Sequence, residues 1–164
     1  IYTSNECAGD LADFIRDGMK YDLWRRNIAR LSPHVSFIRV MATMSVVCLP
    51  GLDELFMDVF AMRSKGMKVY MTINLLYHPE FHSFDALTRS ERDFYLAKYQ
   101  KFVDMHESKM SPMERNNMAR LLGELKKDSP DNQPELRKDL VSFFDQYTTR
   151  RNKPHNFITL IGEK

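Results

Sequence analysis

Cysteine is nearly absent from this chain: Cys7 and Cys48 are the two it has, and they stand far apart in sequence. That excludes a disulfide-built secreted scaffold and any paired-cysteine metal framework. Sparse, unpaired cysteines beside 11 methionines predict a reducing, cytoplasmic setting, with both thiols as small buried fillers. Long apolar runs are missing too. None approaches a bilayer span and no secretory h-region is visible, so no membrane partner is expected. Nor does one sign of charge dominate. The formal net charge is +2, too little to attract nucleic acid, which is not expected as a partner. No Gly-rich phosphate loop, nucleophile elbow or ordered Ser/His/Asp set is visible.

What is present reads as a folded domain, with 43% hydrophobic and 28% charged residues, the composition of an ordinary globular protein. Ile1-Tyr2-Thr3 favours a strand. Helical spacing follows in Leu11, Phe14, Ile15, Leu23, Trp24, Ile28 and Leu31, which predicts one helix ending at Ser32-Pro33. Residues 35–44 form a largely apolar run, expected as a strand covered on both faces. Leu52, Leu55, Phe56, Val59 and Phe60 mark a second helix, closed at Lys65-Gly66, and residues 68–75 a third strand. Strands alternating with helices at a repeat of about 33 residues predict βαβ units and a parallel sheet or barrel.

Three such strands cannot close a barrel alone. The opening strand has no turn or cap before it, so the expectation is the C-terminal half of a larger α/β barrel over residues 1–87. Residues 88–164 then form a helical extension. Thr88-x-x-Glu91 and Ser111-Pro112-Met113-Glu114 are capping boxes for two of its helices. Leu136, Leu140, Phe143, Phe144 and Tyr147 mark a third, and residues 157–161 read as a short final strand or packed segment.

In parallel α/β folds, ligands meet the C-terminal ends of the strands. That rule selects Ser4, Asn5 and Glu6 after the first strand, Thr43 and Ser45 after the second, and Asn74 and Tyr77 after the third. Each of them could equally cap a turn. His78-Pro79-Glu80-Phe81-His82 lacks the His-Glu-x-x-His spacing, and its proline opposes a helix there. It reads as a polar loop over the mouth, and no metal site is predicted. Arg150, Arg151, Lys153 and His155 form a basic cluster suited to a helix C-terminus.

The first strand–helix junction carries a resemblance. Ser4-Asn5-Glu6-Cys7, with Asp10, Asp13 and Arg16 at set offsets, resembles the radical SAM superfamily. Its fourth barrel strand commonly ends Ser-Leu-Asp-Gly, followed by an acidic residue, an aspartate and an arginine. Residues 72–81 look like the family's later strand and exit loop, and residues 143–152 like a C-terminal helix ending of twitch-type relatives. The resemblance implies a partial (β/α) barrel binding S-adenosylmethionine, with Ser4 and Glu6 near its ribose or methionyl part and Arg16 on its carboxylate. Asn5, Thr43, Ser45, Asn74 and Tyr77 would lie on the side of a substrate that is a peptide, protein or small molecule. The family's Cys-x3-Cys-x2-Cys segment is missing. A [4Fe–4S] cluster would therefore be held by residues outside this chain, on an N-terminal barrel half or a companion chain, and this chain alone is not expected to be active. The rival expectations are another parallel α/β-barrel enzyme, or an interaction module whose C-terminal helices dock a partner.

Overall fold

A computed structural model describes residues 1–153, so the predicted segment at 157–161 and His155 lie outside the described residues. Three strands, β1 (Tyr2–Ser4), β2 (Ile38–Met44) and β3 (Val69–Leu75), form a parallel sheet in the order β1-β2-β3. Crossovers supply the helices α1 (Gly9–Ile15), α2 (Tyr21–Leu31) and α3 (Leu52–Ser64), as parallel neighbours require. A helical region follows, with α4 (Arg89–His106), α5 (Pro112–Leu125) and α6 (Gln133–Arg150). Both predicted capping boxes are formed, at Thr88 with Glu91 and at Ser111 with Glu114. Among the described residues the sheet is open rather than closed.

Two sequence expectations are corrected. The stripe from Leu11 to Leu31 is two helices, not one, with α1 ending at Ile15 and α2 starting at Tyr21. Helical spacing survives across the gap, so periodicity alone does not reveal it. Gly18 takes a positive φ of 78°, which glycine adopts without a Cβ penalty. The Asp13 carboxylate accepts the Tyr21 N–H at 2.7 Å, restarting the chain as α2.

The second correction concerns the strands, which are fully covered on one face only. Ile38, Val40, Ala42 and Met44, with Val69, Met71 and Ile73, are buried. Arg39 and Met41 with Tyr70 and Thr72 are half-buried, and Thr43 and Asn74 are exposed. Alternate positions point to opposite faces, so these residues line a second face that is only partly covered.

The two edges of the sheet differ. At β3, α5 lies along the edge and supplies what a fourth strand would have supplied. Glu114 Oε1 accepts the Met71 N–H at 2.7 Å and Asn117 Oδ1 accepts the Ile73 N–H at 2.7 Å. Arg120 donates to the Ile73 carbonyl, and Arg63 Nε donates to Val69 O at 2.5 Å. Side chains thus close an edge that would otherwise invite strand addition. At β1, Asn5 N–H donates to Met41 O and Arg39 N–H donates to Ile1 O. The alternate main-chain groups, those of Tyr2 and Ser4, therefore point to the outer side of β1.

The helical region shares its core with the sheet. Phe56 and Phe60 of α3 pack against Phe102 of α4, with ring centroids 5.7 and 6.4 Å apart. The buried Tyr99 hydroxyl donates to the Leu49 carbonyl, which satisfies its polar tip where an unpaired hydroxyl would be costly.

Candidate functional site

The end of β1 and the break between α1 and α2 bring three predicted residues into one cluster. Ser4 and Glu6 are two positions apart on an extended segment, so their side chains share a face. Arg16 leaves α1 in extended conformation, with φ −104° and ψ 101°, and its side chain returns to that face. Its Nε donates to Glu6 Oε2 at 2.6 Å, and its Nη2 to Glu6 Oε1 at 2.8 Å and to Ser4 Oγ at 2.8 Å. This is a two-pronged guanidinium–carboxylate pair, the strong and directional kind. The Glu6 side chain is 10% exposed and that of Arg16 38%. Among the described residues Nη1 of Arg16 makes no hydrogen bond. One donor edge is thus left for a ligand anion, and the Glu6 oxygens retain lone pairs for hydroxyl donors.

The other strand-end residues divide between the two faces. Thr43 and Asn74 are partners in the β2–β3 register and both are exposed, so a hydroxyl and an amide stand side by side on the open face. Tyr77 is exposed in the loop beyond β3. Ser45 is buried and shares a hydrogen bond with Cys48 Sγ at 3.1 Å. Asn5 is fully buried, and neither atom of its amide has a partner among the described residues. Such an amide is a rarity that a fold tolerates at a cost.

The tertiary structure brings Cys7 and Cys48 together, though both are free. Contact with the Cys48 thiol and burial push the Cys7 thiol far up, so it stays protonated and inert. Two buried thiols do not meet the three-thiolate demand of an iron–sulfur cluster. Among the described residues no group of His, Cys, Asp and Glu side chains is placed to hold a metal. No helix there is long and apolar enough to cross a membrane. Three surface clefts flank α3 and are lined by residues such as Met57, Asp58 and Ala61; Ser4, Glu6 and Arg16 line none of these three.

Two members of the basic cluster read as dipole complement, Arg151 and Lys153, have a more definite task. Arg151 Nη1 pairs with Asp17 Oδ2 at 2.5 Å and Lys153 Nζ with Asp17 Oδ1 at 3.1 Å. Sequence reasoning missed this because the partners lie at opposite ends of the chain.

The loop after β3 is anchored through aromatic contacts. The His82 ring lies 4.9 Å from that of Phe143 and 5.5 Å from that of Phe144, and Phe144 stacks on Phe14 of α1 at 5.9 Å. Burial lowers the His82 pKa below its usual value, because the charged imidazolium loses hydration there. An unfolded chain then binds a proton that the folded chain refuses. The stabilisation is complete above about pH 6.5, the unperturbed histidine value, and is lost progressively as pH falls from there toward the depressed folded value. Melting temperatures across pH 5–8 should show this acid-side decline, and His82→Leu should flatten it. An unchanged slope in the variant assigns the decline to other groups.

No family model, curated protein or solved structure matches the chain.

Proposed function

We propose that this chain is the S-adenosylmethionine-binding, substrate-side half of a radical SAM enzyme, with its barrel completed by strands added at β1. The observation that carries this reading is the convergence of Ser4, Glu6 and Arg16 on one face at the C-terminal end of a parallel strand. Those are the residues that the resemblance picks out. The open polar face and the outward main chain of β1 support it as well. With α5 along β3, sheet growth has β1 as its free side.

The residues suit the ligand. Arg16 presents Nη1 to a carboxylate while Glu6 holds the rest of its fork, and Glu6 and Ser4 offer acceptors to hydroxyl or ammonium donors. When bound, S-adenosylmethionine supplies the radical through reductive cleavage at a [4Fe–4S] cluster. The two thiols of this chain do not fit that cluster, which is assigned to residues outside it. Thr43 and Asn74 face the same side and would meet the substrate, for which a peptide, protein or small molecule is proposed.

The test uses a longer reading frame carrying a Cys-x3-Cys-x2-Cys segment, reconstituted without oxygen and titrated calorimetrically with S-adenosylmethionine. Arg16→Ala should weaken binding by about 1.5–3 kcal/mol, the range for a hydrogen bond to a charged group. No binding by the wild type despite an assembled cluster would sink the proposal. An unaffected variant would return Arg16 to a purely structural pair with Glu6.

A further inference from the structure

We propose that the C-terminal end of α6 is a clamp that positions Arg16, with Tyr147, Arg151 and Lys153 as its working parts. The idea rests on reading Arg16 as a ligand-binding residue. α1 spans residues 9–15, and Arg16 leaves it in extended conformation. The direction of its guanidinium therefore depends on what fixes the main chain on either side.

α6 and the residues just after it fix both sides. Before Arg16, the Tyr147 hydroxyl donates to Phe14 O at 2.9 Å and to Ile15 O at 3.4 Å. Those carbonyls sit where a helix runs out of internal donors. Lys153 Nζ donates to Asp13 O at 3.2 Å. After Arg16, Arg151 and Lys153 hold the Asp17 carboxylate from two directions, at 2.5 and 3.1 Å. Packing reinforces the hydrogen bonds, for the Tyr147 ring meets Phe14 edge-on at 5.5 Å. None of the three clamp residues hydrogen-bonds Ser4 or Glu6. Their effect on the cluster passes through residues 13–17, so they are positioning residues.

The clamp has a readout independent of any ligand. In the full chain labelled with 15N-arginine, the Arg16 Nε proton, held by Glu6 at 2.6 Å, should exchange slowly with water. The Arg63 Nε proton, held by Val69 O at 2.5 Å on the β3 edge, serves as an internal reference for the fold. Tyr147→Phe, and separately Arg151→Gln with Lys153→Gln, should speed exchange at Arg16 by about fivefold, the scale of one lost hydrogen bond. Arg63 should stay unchanged. Equal acceleration at both sites makes α6 a general stabiliser, and no acceleration at either removes the clamp; each outcome overturns the proposal. If Tyr147→Phe fails to fold, Asp17→Asn weakens the exposed half of the clamp and is read the same way. In the cluster-bearing complete enzyme, the variants should also weaken S-adenosylmethionine binding by about tenfold, as for a displaced charged hydrogen bond. A wild type that never binds it refutes the function, while the exchange result still decides the clamp.

Discussion

Glu114→Ala should cost about 3–5 kcal/mol of folding stability, the range for removing one partner of a buried charged pair. The Glu114 side chain is fully buried and three donors converge on it. Oε1 accepts the Met71 N–H at 2.7 Å and also Arg63 Nη2, while Oε2 accepts the Ser111 N–H at 2.8 Å. One carboxylate thus serves as capping-box acid, as surrogate strand on the β3 edge and as counter-ion. Alanine strands a sheet N–H, a helix-entry N–H and a guanidinium whose side chain is 19% exposed. Each orphaned group costs about 1–3 kcal/mol. Glu114→Gln keeps one acceptor oxygen but turns an NH2 toward the remaining donors, so a loss of roughly half that size is expected. Urea denaturation followed by circular dichroism measures both. A loss under about 1 kcal/mol for alanine would mean that water replaces the carboxylate. Domains of this kind have only about 5–15 kcal/mol in hand, so the alanine variant should approach the limit of folding.

Arg92→Ala should follow closely, at about 3–4 kcal/mol, from the loss of hydrogen bonds made by a buried charged group together with a cavity. Its side chain is fully buried in α4. Nη1 donates to Glu124 O at 2.9 Å near the end of α5, and Nη2 donates to Phe84 O at 2.8 Å and Asp85 Oδ1 at 3.0 Å in the loop after β3. One planar guanidinium joins three segments that no apolar side chain could link. Arg92→Lys should fail to rescue more than about half the loss, because an ammonium on a single stem cannot reach both sides as a fork does. Arg92→Met would refill volume yet remove the charged donor from both carbonyls, leaving each only a backbone N–H, from Leu87 to Phe84 O and from Lys127 to Glu124 O. Native-state hydrogen exchange should show faster opening at residues 84–87 in all three variants. Protection unchanged in that loop would show that Arg92 is not its anchor.

The contrast between these residues explains what could be read in advance. Glu114 stands in a capping box, and its local task follows from Ser111-Pro112-Met113-Glu114 alone. Its service to Met71, more than forty positions away in sequence, has no local signature. Arg92 carries no motif at all and reads as an ordinary polar position on a helix. Similarly, the apolar spacing from Leu11 to Leu31 predicts one helix, because a break that keeps helical phase leaves the pattern intact. The open face escaped for a different reason. Arg39, Met41 and Tyr70 are long enough to pass for covered strand residues until their exposure is seen.

For the candidate site, the rule that ligands meet strand ends selects Ser4 and Glu6, and the offset of Arg16 comes from the resemblance. Whether Arg16 faces solvent on a helix or folds back on Glu6 depends on where α1 stops. That stopping point involves Gly18 and Asp13 locally, and Tyr147, Arg151 and Lys153 from the far end of the chain.

By itself, then, the sequence determined the alternation of strands and helices, the parallel pairing and the two capped helices, because these arise from periodicity and short-range hydrogen bonding. Only the tertiary structure decided the rest. It laid α5 along β3, left one face of the sheet open, brought the Cys7 and Cys48 thiols together and closed α6 over the Arg16 segment. Those contacts join residues distant in the chain, and their geometry is set by how the layers pack rather than by any local pattern.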